Sequence, residues 1–414
     1  MTASGSPATP NWAWRATRKT AILKPDMIIA ILGRQPELGL AELESRFGAE
    51  HVTPLSPHAA QVDVEADNVP AHLLGSAVKL ARPLASLPTT DWQKVLDHCR
   101  TLLPKVAADL PDGKFKLGLS AYDLNVSLKT MQRSGLELKK AIKQSGRSVR
   151  IVPNTALELN SAQILHNQLT TDLGCELIII GTGTTTHLAQ TYHVQDIDDY
   201  ARRDFGRPKR DAFVGMLPPK LAQTMLNLAQ VSPGQRVLDA FCGTGVVLQE
   251  AALMGCDLYG TDLSERMIDY TRTNLDWLEK TYHIEATADL VADDARTATW
   301  QPPIDAAVSE SYLGRPMTTL PLRNKLEPIM QECDDIARDF LVNLRKQIKP
   351  GTRLCLAVPS WAQAKGFISL PVVDDLEKIG YNRISFKHTR QQTLRYHRSD
   401  QIVARELLVL TAKE

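Results

Sequence analysis

Apolar and polar positions divide the chain into three blocks. In the first, residues 27–33 form an apolar run closed by Gly33, which predicts a short strand. Residues 39–47 carry apolar side chains at helical spacing up to Gly48, which predicts a helix. Residues 60–64 alternate as a strand does, and residues 71–80 predict a second helix. The second block opens at residues 113–121 with an alternating strand. A helix is expected over residues 127–145 with Leu136, Leu138 and Ile142 inward, then a strand at 149–152 stopped by Pro153. A helix over 160–173, a fully buried strand at 176–180 and a strand at 187–192 complete a unit that packs helices on one face of a sheet. A polar connector, residues 196–211, holds Arg202, Arg203, Arg207, Lys209 and Arg210.

The third block starts at Gly215. Strands are expected near Val237, Leu258, Leu290, Ala306, Leu354, Ile384 and Leu407, with helices between the first five. That alternation predicts right-handed parallel crossovers. The last two strands lack a helix between them and should form a hairpin with one antiparallel strand. The expected fold class is α/β, with a C-terminal, doubly wound, seven-stranded, mostly parallel sheet preceded by an α+β unit and a second α/β unit. Boundaries are expected at 1–25 (a disordered leader), 26–105, 106–198, 199–214 (a linker) and 215–414.

Composition changes this picture little. A chain of 414 residues with 43% apolar residues suits two or three domains. Lys plus Arg (48) nearly balances Asp plus Glu (47), so only local clustering argues for nucleic acid. Six cysteines (Cys99, Cys175, Cys242, Cys256, Cys333 and Cys355) form no C-x-x-C pair, which argues against structural zinc and for a reducing cytoplasm. No metal is expected. No run of about 18 apolar residues predicts a membrane span. The first 25 residues lack the apolar core of a signal peptide, and Met27 is an alternative start.

The chemistry gathers around residues 237–245, Val-Leu-Asp-Ala-Phe-Cys-Gly-Thr-Gly, a buried strand that runs into a glycine turn opening a helix. Gly243 and Gly245 let a ligand approach the backbone without a Cβ in the way. A dinucleotide site would have a third glycine where Leu248 stands, so the turn suits a cofactor without pyrophosphate. Asp262, ending the next strand, can accept from two ribose hydroxyls. Asp294, after the third strand, can accept from an exocyclic amine beside Ala295.

With acids at three successive strand tips, residues 215–414 resemble a class I S-adenosylmethionine-dependent methyltransferase. The resemblance implies that Asp239, Phe241 and the loop Gly243, Thr244 and Gly245 hold the methionine part. It assigns Asp262 with Leu263 to the ribose end, and Asp294 with Ala295 to adenine. Residues 120–122, 146–153, 159–163, 191–200 and 203–208 resemble a THUMP domain behind a ferredoxin-like unit, and 215–223 resembles the joining segment. The order of parts is similar to the THUMP-containing tRNA guanosine-N2 methyltransferases, over nearly all of residues 27–414. The resemblance implies tRNA as partner, with a small activator subunit required by some relatives; a monomer is the default. Clustered cations agree: Lys139, Lys140, Lys143, Arg147 and Arg150 in the second unit, and Arg203 and Arg207 in the connector.

Amino-methylating enzymes of this class carry Asp/Asn/Ser-Pro-Pro-aromatic after the fourth strand. Here the loop reads Ser309-Glu310-Ser311-Tyr312, with both prolines replaced. Tyr312 takes the stacking position, Glu310 is the nearest carboxylate, and Ser309 stands where Asp is usual. The expected activity is methyl transfer to a guanine N2 in tRNA. Two alternatives stand beside it: a DNA amino-methyltransferase acting on adenine N6 or cytosine N4, and a catalytically impaired tRNA-binding scaffold.

Overall fold

The computed structural model describes residues 27–211, 216–317, 319–390 and 393–414. The expected leader and Gly215, the expected start of the third block, lie outside the described residues. The first half consists of β1 (Ile28–Leu32), α1 (Pro36–Phe47), β2 (Val52–Ser56), β3 (Ala59–Val62), β4 (Ala77–Leu87), α2 (Trp92–Ala108), β5 (Phe115–Tyr122), α3 (Leu128–Gln144), β6 (Val149–Ile151), α4 (Ser161–His166), β7 (Gly174–Gly181), β8 (Thr186–Val194) and α5 (Ile197–Phe205). Among the described residues its eight strands make one sheet, ordered β2-β3-β1-β4-β8-β7-β5-β6. The two units read from the sequence are therefore joined edge to edge by the antiparallel β4–β8 pair.

A buried ion pair lies at that seam. Lys79 of β4 and Glu176 of β7 are both buried and paired. Lys79 also donates to the Leu159 carbonyl at 2.8 Å, and Glu176 accepts from Ser120 and Thr191. Every charge here has partners, which a charge removed from water requires.

Several expectations fail in this half. Residues 71–80 form no α-helix; a single 3-10 turn at Ala71–Leu73 leads into β4. Gly75 interrupts the run: a Cβ there would lie 2.3 Å from the Lys220 carbonyl oxygen. The helix expected over 160–173 ends at His166, because Gln168 takes a left-handed φ of 55° and turns the chain. Leu136 points outward at 65% exposure, while Leu138 and Ile142 are buried as expected. Helix α2 had no counterpart in the sequence reading.

The second half consists of α6 (Pro219–Leu228), β9 (Arg236–Asp239), α7 (Val246–Leu253), β10 (Asp257–Asp262), α8 (Glu265–Tyr282), β11 (Ala288–Ala292), β12 (Ala306–Glu310), α9 (Arg323–Arg345), β13 (Arg353–Ala362), β14 (Phe367–Ile368), α10 (Val372–Ile379), β15 (Tyr381–Arg383), β16 (Arg395–Tyr396) and β17 (Val403–Ala412). The main path of the sheet is β11-β10-β9-β12-β13-β17-β15, with β14 and β16 paired at its margin. Seven strands lie on this path, and β14 and β16 bring the described sheet to nine where seven were expected. Strands β11, β10, β9, β12 and β13 are parallel, and β17 is antiparallel to both neighbours. Turns, not the expected helix, join β11 to β12. The order reverses between β9 and β12, and it is beside such a reversal that doubly wound sheets bind ligands.

The two halves are docked by buried polar contacts. Glu42 of α1, fully buried, accepts from the Gly75 and Ser76 N–H groups at 2.9 and 2.8 Å, and from Asn227 of α6 at 2.6 Å. Glu44 accepts from the N–H groups of Lys387 and His388 at 2.7 and 2.8 Å. Such satisfied contacts fix the first half relative to the strand tips of the second.

Candidate active site

Strand β9 ends at Asp239, and the chain turns through Gly243 (φ 53°) and Gly245 (φ 81°) into α7. Side chains of α8 hold the turn from behind. Thr271 donates to the Gly243 carbonyl at 2.9 Å, and Asn274 to the Thr244 carbonyl at 2.8 Å. Asn274 also exchanges two 2.9 Å hydrogen bonds with the backbone of Lys209, which ties the connector to the turn. Gly245 does not line the cleft; besides its positive φ, a Cβ there would meet Thr271 Cγ2 at 2.8 Å. Its glycine serves turn geometry and packing, whereas the sequence reading had linked it to ligand approach.

Two acids beside the turn, Asp239 buried and Asp262 half-buried, have no cation partner among the described residues. Asp239 is 2% exposed and accepts from the Phe241 N–H at 3.3 Å and from the Ser309 hydroxyl. Burial pushes its carboxyl up to about 7, with the nearby charges of Asp262 and Glu310 acting in the same direction. Asp262 accepts from the N–H groups of Gly243 (3.0 Å) and Ser264 (2.9 Å), and burial pushes its carboxyl up too. Asp294 differs. Its hydrogen bonds from Arg296, including a 2.6 Å contact from Nη2, hold its carboxyl below the usual range.

One cleft of about 680 Å³ gathers these groups. Asp239, Phe241, Gly243, Thr244, Asp262, Leu263, Asp294 and Ala295 line it, as do Glu310 and Tyr312. Leu263 stands 75% exposed, an apolar surface open to a ring. Ser309 is the exception among the residues expected to touch substrate. It is 2% exposed, does not line the cleft, and its Oγ accepts from the Ala240 N–H at 2.9 Å. As the penultimate residue of β12 it points back at β9 and hydrogen-bonds Asp239, away from the cleft.

Glu310 ends β12 and forms an ion pair with Arg405 of β17, both side chains nearly buried. Sequence reasoning missed Arg405, which sits in no motif and 95 residues downstream. It also missed Leu217, Glu332 and Asp335, which complete the cleft wall. Helical spacing along α9 would have placed Glu332 and Asp335 on one face.

The cations expected to meet RNA divide by exposure. Lys140, Lys143 and Arg150 are exposed. Leu136, Lys139, Lys140, Lys143 and Gln144 border a shallow groove on α3. Arg147 is half-buried and faces Asp112. Arg203 and Arg207 must be withdrawn as surface contacts. Arg203 is 4% exposed and pairs with Glu250 and Asp199. Arg207 is 2% exposed, its guanidinium donates no hydrogen bond among the described residues, and burial lowers its affinity for a proton. Both guanidinium groups are thus withdrawn from the surface, Arg203 on α5 against Glu250 of α7. Among the described residues no cluster of three or more His, Cys, Asp or Glu could hold a metal, and no helix is long and apolar enough to cross a membrane.

Residues 207–391 match the family UPF0020, described as an RMKL-like methyltransferase domain. That match covers somewhat less than half of the 414 residues. Among curated proteins, the chain is similar to tRNA (guanine(10)-N2)-dimethyltransferase of Methanothermobacter thermautotrophicus, 31% identical over 196 residues, 47% of this chain and 50% of that protein. It is similar to the protein of the same name from Methanocaldococcus jannaschii, 39% identical over 94 residues, 22% of this chain and 27% of that one. A tRNA (guanine(6)-N2)-methyltransferase of Thermus thermophilus is 40% identical over 75 residues, 16% of this chain and 22% of that protein. The matched part thus spans about half the length of the first relative and less of the others. Among solved structures, TrmN from Thermus thermophilus superposes over 93% of this chain and 99% of its own, with a TM-score of 0.51 at 18% identity, a likeness of fold. The cleft has the features a nucleoside-bearing cofactor needs: a buried acid (Asp239) and a half-buried one (Asp262) without a cation partner among the described residues, a glycine turn that admits close approach, and an open apolar face on Leu263.

Proposed function

We propose that the protein transfers a methyl group from S-adenosylmethionine to the exocyclic N2 of a guanosine in tRNA. The observation that carries this reading is a single cleft in which the cation-free acids Asp239 and Asp262 share walls with Glu310 and Tyr312. The names of the curated relatives point the same way for the substrate.

Asp262 accepts from the ribose hydroxyls, Asp239 with the Gly243–Thr244 backbone receives the methionine end, and Leu263 and Ala295 flank the adenine near Asp294. When bound, S-adenosylmethionine supplies the methyl group. Tyr312 offers its ring to a base turned out of its stack. Glu310 accepts from the target amine, aims its lone pair into the cleft and takes up the proton released. Ser309 acts indirectly by holding Asp239. Residues 26–105 and 106–198 serve as ferredoxin-like and THUMP-like units that grip the tRNA, with Lys139, Lys140, Lys143 and Arg150 facing phosphates. Within the linker 199–214, Lys209 bonded to Asn274 holds that grip in register with the catalytic part, residues 215–414.

The test is methyl transfer to bulk tRNA followed by nucleoside analysis. N2-methylguanosine is the expected product. Methylated DNA with unmodified tRNA contradicts the reading, and cofactor binding without product on either polymer turns the protein into a scaffold.

A further inference from the structure

The loop Ser309 to Tyr312 lacks the two prolines that would stiffen it, and its only carboxylate sits on a longer, more rotatable side chain. Something else has to fix that carboxylate if it is to hold an amine. The sheet supplies a candidate. Glu310 of β12 lies beside Ala357 of β13, and Arg405 of β17 lies opposite Pro359, two residues further along β13. A spacing of two keeps Glu310 and Arg405 on the same face of the sheet, so the guanidinium reaches across β13 to the carboxylate. Its Nε–H donates to Oε1 of Glu310. Side-chain exposures are only 9% and 13%, so water competes weakly for the contact. Arg405 itself does not line the cleft, whereas Glu310 does.

The base of the loop is pinned as well. Ser311 donates from both its N–H (2.9 Å) and its hydroxyl (3.1 Å) to the Ala357 carbonyl. Backbone and carboxylate are therefore both referred to β13, one directly and one through the arginine that spans it.

We propose that Arg405 is a positioning residue for methyl transfer: it binds Oε1 of Glu310 and leaves Oε2 as the acceptor for the target amine. This rests on the assignment of Glu310 to the amine under Proposed function. Arg405 replaces, from a distant strand, the stiffness that prolines would give the loop.

The experiment is a double-mutant cycle of Arg405→Met and Glu310→Gln on the full chain. Turnover on tRNA and affinity for S-adenosylhomocysteine are both measured. Arg405→Met should lower kcat on the order of 100-fold, the loss expected of a misplaced catalytic group, while cofactor affinity stays unchanged. Added to Glu310→Gln, it should cost nothing more, because the carboxylate it serves is gone. Full kcat in Arg405→Met, or losses that multiply in the double variant, overturns the proposal. Should Arg405→Met fail to bind cofactor, Arg405→Lys decides: a loss of roughly 10-fold beside Glu310 and none beside Gln supports positioning, and equal effects in both backgrounds refute it. A wild-type chain that makes no N2-methylguanosine defeats the functional reading and this proposal together. An active chain indifferent to Arg405 defeats this proposal alone.

Discussion

The buried carboxylates of Glu176 and Asp239 lie equally deep in their respective sheets, yet their surroundings differ. Glu176 meets an ammonium and two hydroxyls at the β4–β8–β7–β5 seam. Asp239 meets one hydroxyl and one backbone N–H, and its carboxyl is pushed up to about 7 as a result. Asp262 resembles Asp239, with two backbone donors and no cation. A saturated acid is part of the fold's own electrostatics. An unsaturated one is held ready for donors that a ligand brings, at a standing cost to stability. We read the contrast as one between a carboxylate that the fold satisfies itself and carboxylates open to further donors.

The largest effect should come from breaking the saturated site. Glu176→Ala should destabilise the fold by about 4 kcal/mol in urea denaturation, because it leaves Lys79 charged and buried. Replacing both partners with apolar residues (Lys79→Met with Glu176→Leu) should recover most of that loss.

Asp239→Asn should act in the opposite direction. In the folded wild type this carboxyl keeps its proton up to about pH 7, while unfolded it loses it near pH 4. The folded state therefore binds more protons between those values, and stability falls as pH rises from 4 to 7, then levels. The asparagine variant lacks that loss, so it should gain roughly 3 kcal/mol on the wild type at pH 8 and almost nothing near pH 4.

Asp262→Ala should leave stability nearly unchanged and weaken S-adenosylmethionine binding by about 2 kcal/mol, some 30-fold, in calorimetry. On α3, Lys140→Glu or Lys143→Glu should lower tRNA affinity and reduce the salt slope by about 1 each, with cofactor binding intact. Leu263→Ala should weaken cofactor binding by roughly 1 kcal/mol without affecting the fold, since Leu263 is 75% exposed.

The same contrast explains what the sequence made legible. The parallel core, the turn at Gly243 and the acids ending β9 and β10 follow from local patterns, because strand, turn and helix are each set by neighbours in the chain. Residues 71–80 misled because their apolar spacing admits a helix, whereas Ala77 to Leu80 are drawn into β4 by pairing with β1 and β8, partners far away in sequence. Arg203 reads as a surface cation in a polar connector, and its partner Glu250 lies 47 residues away on α7. Ser309 matched a motif position, but strand pairing turns it toward β9. Arg405 was invisible for the same reason: its partner is set by sheet register and lies far away in sequence.

The central claim is that Asp239 and Asp262 are unsaturated because they await a cofactor. Titration calorimetry of S-adenosylmethionine into the wild-type protein at pH 6 and pH 8 tests it most directly. Binding should be about tenfold tighter at pH 8, with a proton released on binding at pH 6, because Asp239 must ionise to meet the cofactor's ammonium group. No heat of binding at either pH, or equal affinity at both with no proton released, would contradict it.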